Sequence, residues 1–304
     1  MVTNDKPTGR FLTEKGKAEF EAAYEAAMKF LPPPLETKDI ETAFGRVRIY
    51  RFTKEEHKGK EPLLLLPGRS SSTPMWEPNL PGLMKERPVY TLDLLGEPGM
   101  SCQTQPIRNA EDQASWLSEA LSKVDVETVH LIGVSIGGWT AMNLARHAPS
   151  KVATISLLDP VLVFAPLSLK MMAASIPASV PIVPKFIREK MLSYISGGAK
   201  ADDSEPIARL IESGMANYKI SLPTPDLMSA EDLKNIHIPV LALMAEKSTM
   251  HNSQRAVQKG KTHVPNIQIE NWPGASHAMN GEFPEEVNAR ILAFVDQHSD
   301  NELI

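Results

Sequence analysis

A single cysteine, Cys102, in 304 residues excludes a disulfide within the chain and suits a reducing compartment. Basic blocks are also lacking. The 32 lysines and arginines are outnumbered by 37 acidic residues, for a net charge of −5, and no lysine- or arginine-rich run stands ready to displace counterions from phosphates, so no nucleic-acid partner is expected. Long apolar runs are missing as well: the longest apolar region, residues 155–187, is interrupted by Asp159, Lys170 and five prolines and cannot form a continuous membrane span. Residues 1–10 hold no apolar signal core, so the expected location is cytoplasmic. The eight histidines show no H-E-x-x-H or clustered spacing, and no G-x-x-x-x-G-K-[ST] or G-x-G-x-x-G follows a strand-like run; neither a metal nor a nucleotide cofactor is expected. There is no internal repeat and no low-complexity tract. What remains is 42% hydrophobic and 23% charged, the composition of an ordinary globular chain long enough for one large core and an insertion.

The most informative stretch is Gly133-Val134-Ser135-Ile136-Gly137-Gly138. Before it, Thr128-Val129-His130-Leu131-Ile132 is β-branched and apolar, as a buried parallel strand requires; after it, residues 139–147 have a helical pattern that Pro149 ends. A serine in a sharp turn between strand and helix is a nucleophile elbow. The turn lifts the hydroxyl above the sheet edge, glycines at 133 and 137 remove Cβ atoms that would clash, and the following helix aims its free N–H groups at the serine oxygen.

On these residues the chain resembles the α/β-hydrolase superfamily, over about residues 40–295, and specifically its serine esterases and carboxylesterases with a helical cap. The resemblance implies an α/β fold with a mostly parallel, doubly wound sheet, and a cap inserted before the penultimate strand. It divides the chain into an N-terminal helical extension over 1–34, a core formed by 35–160 and 234–304, and a cap over 161–233. It also implies a serine–acid–histidine order along the sequence. Pro273-Gly274-Ala275-Ser276-His277 follows the expected last strand, departs from the usual Pro-Gly-Ala-Gly-His only at Ser276, and makes His277 the general base. Leu63-Leu64-Leu65-Leu66 leads into Pro67-Gly68-Arg69-Ser70, where the family places one oxyanion donor; the amide of Arg69 is expected to act with that of Ile136, with the Ser70 amide as the rival. Pro67 stands where the family usually has histidine, a change that leaves the backbone donors in place.

Two sites compete for the acid. Asp159 ends the strand-like run 152–158 in Leu-Asp-Pro, the position used by lipases of the pancreatic type, although Asp before Pro is also a common turn opener. Most members carry the acid one strand later, in Gly-x-x-Asp, but here the strand over 240–244 runs into Ala245-Glu246-Lys247-Ser248, and the matching position is Ser248. Asp159 is therefore the expected orienter, with Glu246 in reserve.

The remaining segments read as scaffold. An amphipathic helix over 14–30 stops at three prolines, a hairpin of two edge strands is expected over 42–52, and the 89–92 strand leads into Asp93-Leu94-Leu95-Gly96-Glu97-Pro98-Gly99-Met100-Ser101, a turn with a mostly structural role. Cys102 has no neighbour that would activate its thiol. In the cap, helical pieces are expected over 167–175, 183–196 and 205–218, with a glycine-bearing loop over 197–203. The expected activity is serine-dependent cleavage of a carboxylic ester of a small molecule through an acyl-enzyme, with thioesters, lactones and carbon–carbon bonds as alternatives; a ligand-binding or signalling protein on the same fold is the rival of another class. Serine at the elbow argues against haloalkane dehalogenases and epoxide hydrolases, which need a carboxylate nucleophile there.

Overall fold

The structure, a computed structural model, describes residues 8–53, 57, 59–172 and 206–299. Among them a nine-stranded sheet carries the strands β2 (Glu36–Thr42), β3 (Gly45–Phe52), β4 (Leu63–Leu66), β5 (Val89–Leu92), β6 (Cys102–Gln103), β7 (Val129–Val134), β8 (Val152–Leu158), β10 (Val240–Ala245) and β11 (Ile267–Trp272). Their order is β11-β10-β8-β7-β4-β5-β3-β2, with β6 paired to β3. From β11 to β5 all neighbours are parallel; β3 runs antiparallel to both β5 and β2.

The four leucines of β4 are all buried because the sheet is covered on both faces. Leu64 and Leu66 pack into one cluster with Trp116 and Leu117 of α3 (Ala110–Ser122) and Trp139 and Met142 of α4 (Ile136–His147). Leu63 and Leu65 join the opposite cluster with Phe20 and Tyr24 of α1 (Glu14–Met28) and Ile291 and Phe294 of the helix Pro284–His298. Period-two alternation thus persists inside an unbroken apolar run. The chain passes from β4 outward to β5, then returns across β4 to β7, so the sheet reverses direction between β4 and β7. A crevice opens at the carboxyl ends of such a strand pair, and here those ends carry the Gly68 loop and Ser135.

Two readings of the amino-terminal region need correction. The hairpin's first strand begins at Glu36 rather than Thr42, and β3 lies inside the sheet instead of at its edge. Glu-Thr-Lys-Asp-Ile-Glu-Thr buries only Ile40, so ladder hydrogen bonds rather than an apolar pattern hold β2. The expected α1 is present, capped by Thr13, whose hydroxyl accepts the Gly16 N–H at 3.0 Å. It lies against the helix Pro206–Asn217, the element expected over 205–218, and β1 (Arg10–Phe11) pairs antiparallel with β9 (Tyr218–Lys219). Residues 169–172 are helical; the rest of the piece expected over 167–175, the expected helix over 183–196 and the loop over 197–203 lie outside the described residues. Among the described residues no helix is long and apolar enough to cross a membrane.

The strand that leads into Ser135 also buries a titratable ring. His130 is fully enclosed, with Nδ1 3.0 Å from the Thr154 hydroxyl and Nε2 3.1 Å from a carboxylate oxygen of Glu61. Burial lowers its pKa to about 4, against the opposing pull of Glu61 and with the help of Arg87. Because the unfolded ring titrates near 6.5, folding favours the neutral form, and the stability present above that pH is lost as pH falls toward 4. Thermal melts from pH 7 to 5 should show a falling midpoint, and His130→Gln should flatten that slope; parallel slopes would remove His130 from the acid response.

Candidate active site

Ser135 sits between β7 and α4 at φ 54° and ψ −116°, a conformation that L-residues rarely adopt. The surroundings impose it. A Cβ on Gly137 would lie 2.1 Å from the Leu66 carbonyl oxygen, and one on Gly133 would lie 2.4 Å from the Gly137 carbonyl oxygen, so helix and strands approach more closely than any side chain permits. Ser135 N–H donates to Leu158 O at 3.1 Å, and Val161 N–H donates back to Ser135 O at 3.3 Å, fastening the elbow to the end of β8.

That end is Asp159, itself at φ 42° and fully buried. Its Oδ2 lies 2.6 Å from Nδ1 of His277 and accepts the Ser248 hydroxyl at 2.6 Å; its Oδ1 accepts the Ala245 N–H at 3.1 Å. Nε2 of His251 approaches Oδ1 to 3.2 Å, within ion-pairing reach but off the hydrogen-bonding axis. Burial alone would raise the Asp159 carboxyl, but the imidazoles of His251 and His277 outweigh it and hold the group well below the usual carboxylate range. Glu246 takes another place. It is exposed, and its carboxylate accepts the Gly274 N–H at 2.8 Å, bracing the loop before His277.

The loop after β4 is threaded past two buried carboxylates. Ser70 N–H donates to Glu97 Oε2 at 3.3 Å and Thr73 N–H to Asp93 Oδ1 at 2.8 Å, while Asp93 Oδ2 accepts the Met100 N–H at 2.7 Å. Ser70 and Ser72 both hold positive φ, at 58° and 54°. The Ser70 amide is thus engaged, whereas among the described residues no acceptor takes the amides of Arg69 or Ile136.

Residues 63–290 match the profile of a family described as the alpha/beta hydrolase family, three quarters of the chain. The chain belongs to that family. It is 27% identical over 302 residues to a carboxylesterase, YbfK, of Bacillus subtilis, a match covering 94% of this chain and 96% of that protein. The crystal structure of the same organism's naproxen esterase superposes with a TM-score of 0.85 at 22% identity, covering 94% of this chain and all of that one. The structure of carboxylesterase CesB (YbfK) gives 0.84 at 25% identity, covering 92% and 98%.

Against the usual α/β-hydrolase pattern, the departures fit one another. Ser248, at the common acid position, donates its hydroxyl to Asp159. Ser276, in place of glycine, donates through its hydroxyl and its amide to Glu282 at 2.6 and 2.8 Å, tying the histidine loop to the helix turn behind it. His251, Asp93 and Glu97 reach the site without having been read there from sequence. Asp93 and Glu97 fall inside the recognised turn after β5, but the β4-loop amides they accept from lie 20 and 27 residues away, and His251 meets Asp159 from 92 residues away, so no local pattern marks them. Cys102 is exposed in β6, and among the described residues no cluster of metal-ligating side chains occurs.

Close packing at the elbow gives a direct test. Gly137→Ala must displace backbone and is expected to cost about 3 kcal/mol or more, lowering Tm by several degrees. Gly281→Ala, helical and with nothing within 4 Å of the added methyl, should be neutral or slightly stabilising. Equal Tm values for the two variants would contradict the packing described.

Proposed function

We propose that the protein hydrolyses carboxylic esters through an acyl-enzyme, with Ser135 as nucleophile, His277 as general base and acid, and Asp159 as the orienting carboxylate. The observation that carries this reading is the 2.6 Å contact between His277 Nδ1 and an Asp159 carboxylate held ionised in a buried site. A carboxylate there fixes Nδ1–H, leaves Nε2 free to accept the Ser135 proton, and stabilises the imidazolium that results. Ser135 Oγ bonds to the ester carbonyl carbon, and the oxygen that gains charge accepts from the amides of Ile136 and Arg69. Collapse of the tetrahedral adduct expels the alcohol, which takes its proton from His277; water then enters by the same route in reverse and releases the acid.

The carboxylesterase relative at 27% identity supports an ester as the bond cleaved. The chief argument for a non-catalytic ligand-binding protein is the missing acid after β10, and Asp159 beside His277 weighs against it. In the family's capped members the insertion roofs the nucleophile, and residues 161–233 are assigned that role here.

Ser135→Ala and His277→Ala should each lower kcat/KM on short aryl esters by roughly 10⁴-fold or more, and Ser135→Ala should abolish labelling by a fluorophosphonate probe. Asp159→Asn should lose about 10⁴-fold, Ser248→Ala about tenfold for the loss of one hydrogen bond to a charged group, and Glu246→Gln little. Turnover retained by folded Ser135→Ala protein sinks the mechanism; a large loss confined to Glu246→Gln reassigns the acid.

A further inference from the structure

A small cleft adjoins the elbow on the side of α3 and α4. Its walls are largely apolar, with Leu95, Trp116, Trp139 and Ile136 among them, and it contains two charged residues, Arg69 and Glu97. Glu97 is 3% exposed, and burial pushes its carboxyl up against the opposing influence of Arg69 and the Ser70 N–H. Only one of its oxygens is served: Oε2 accepts the Ser70 N–H, whereas Oε1 is sealed from solvent and receives no hydrogen bond. Nε of Arg69 comes within 3.5 Å of Oε1 without hydrogen-bond geometry. The indoles that line the cleft are committed elsewhere, Trp139 to the Asp226 carbonyl at 2.9 Å and Trp116 to Gln113 Oε1 at 2.9 Å. Gln113, which also lines the cleft, is thereby left with its amide nitrogen as a donor.

An enclosed carboxylate oxygen without a donor is costly, more so among aromatic rings. The cleft that Glu97 lines holds about 10 Å³, room for one hydroxyl-sized group, and Arg69, the half-exposed side chain over Oε1, is the one that must shift to admit it. Building on the assignment of Ser135 as nucleophile, we propose that this cleft recognises a hydroxyl on the ester substrate, with Oε1 of Glu97 as the acceptor. Several features select a hydroxyl over other donors. An ammonium would meet the Arg69 guanidinium 3.5 Å from the same oxygen, whereas a neutral O–H donates to Glu97 and keeps lone pairs for Gln113. A methyl or methoxy group of similar size offers Oε1 nothing, and a site built around a hydrogen bond discriminates strongly against an analogue that leaves its acceptor unpaired.

The test uses short esters that differ only in bearing a hydroxyl, a methoxy or a hydrogen at successive carbons of the acyl chain, and a second set varied in the alcohol. At one position in one set, wild-type kcat/KM should favour hydroxyl over methoxy by tenfold or more. Glu97→Gln keeps a carbonyl for the Ser70 N–H but presents an amide N–H₂ in place of Oε1, so the preference should collapse or invert toward methoxy. Each enzyme is its own reference, so a general rate loss through the oxyanion loop does not disturb the ratio. Binding of the corresponding hydroxy and methoxy acids and alcohols, followed by tryptophan fluorescence because Trp116 and Trp139 line the cleft, gives a readout that needs no turnover and should show the same tenfold preference. No preference at any position, or an equal preference in both enzymes, overturns the assignment and leaves Glu97 as a brace for the loop. Failure to hydrolyse any ester or to label Ser135 counts against the hydrolase reading instead, and the fluorescence titrations then decide the hydroxyl site by themselves.

Discussion

Asp159 draws together parts of the chain that share no local order: the end of β8, the end of β10, the turn at Ser248 and the loop of His277. A carboxylate without solvent can remain charged only if its lone pairs are met, and here three donors and a nearby second imidazole meet them. The dependence runs both ways. Without the charge, the histidine loses the group that fixes its ring; without the converging loops, the charge would be expelled from the site or neutralised by a proton.

Around this point the backbone is under strain. Among the described residues, the non-glycine positions with positive φ are Ser70, Ser72, Ser135, Asp159 and Leu162, on the β4 loop, the elbow or the stretch that leaves β8. Each such conformation costs on the order of 1–3 kcal/mol and persists only where its surroundings over-determine it. The surroundings here are strands buried on both faces, whose leucines and isoleucines each contribute about 1.5–3 kcal/mol by leaving water. A rigid sheet and a strained rim are therefore parts of one arrangement, in which the interior can hold unfavourable dihedrals where the chemistry needs them.

Legibility from sequence followed the same division. The elbow, the all-leucine strand and the histidine loop were readable because close backbone approach demands glycine at particular spacings and two-sided burial demands an unbroken apolar run. Asp159 was readable as a strand end, but its advantage over Glu246 lay in which carboxylate turns inward, and that is decided by partners 86 to 118 residues away. That the Ser70 amide is taken by Glu97, 27 residues away, was not readable from the local sequence. The start of β2 was misplaced because an edge strand held by ladder bonds needs no hydrophobic alternation, and only Ile40 marks its buried side.

The two-residue pairing of β1 with β9 gives the amino-terminal segment an influence at a distance. Gly9 donates its N–H to Gln103 Oε1 and Leu12 donates its N–H to Asn217 O, so residues 9–12 clamp the chain just before Leu222, Pro223 and Pro225 form a wall of the cleft. So short a ladder opens far more readily than the central sheet. Fraying there loosens one side of the cleft while leaving the hydrogen bonds around Asp159 untouched. Trimming or fusing the protein at this end therefore reaches the packing of the cleft wall and leaves the hydrogen bonds around Asp159 in place.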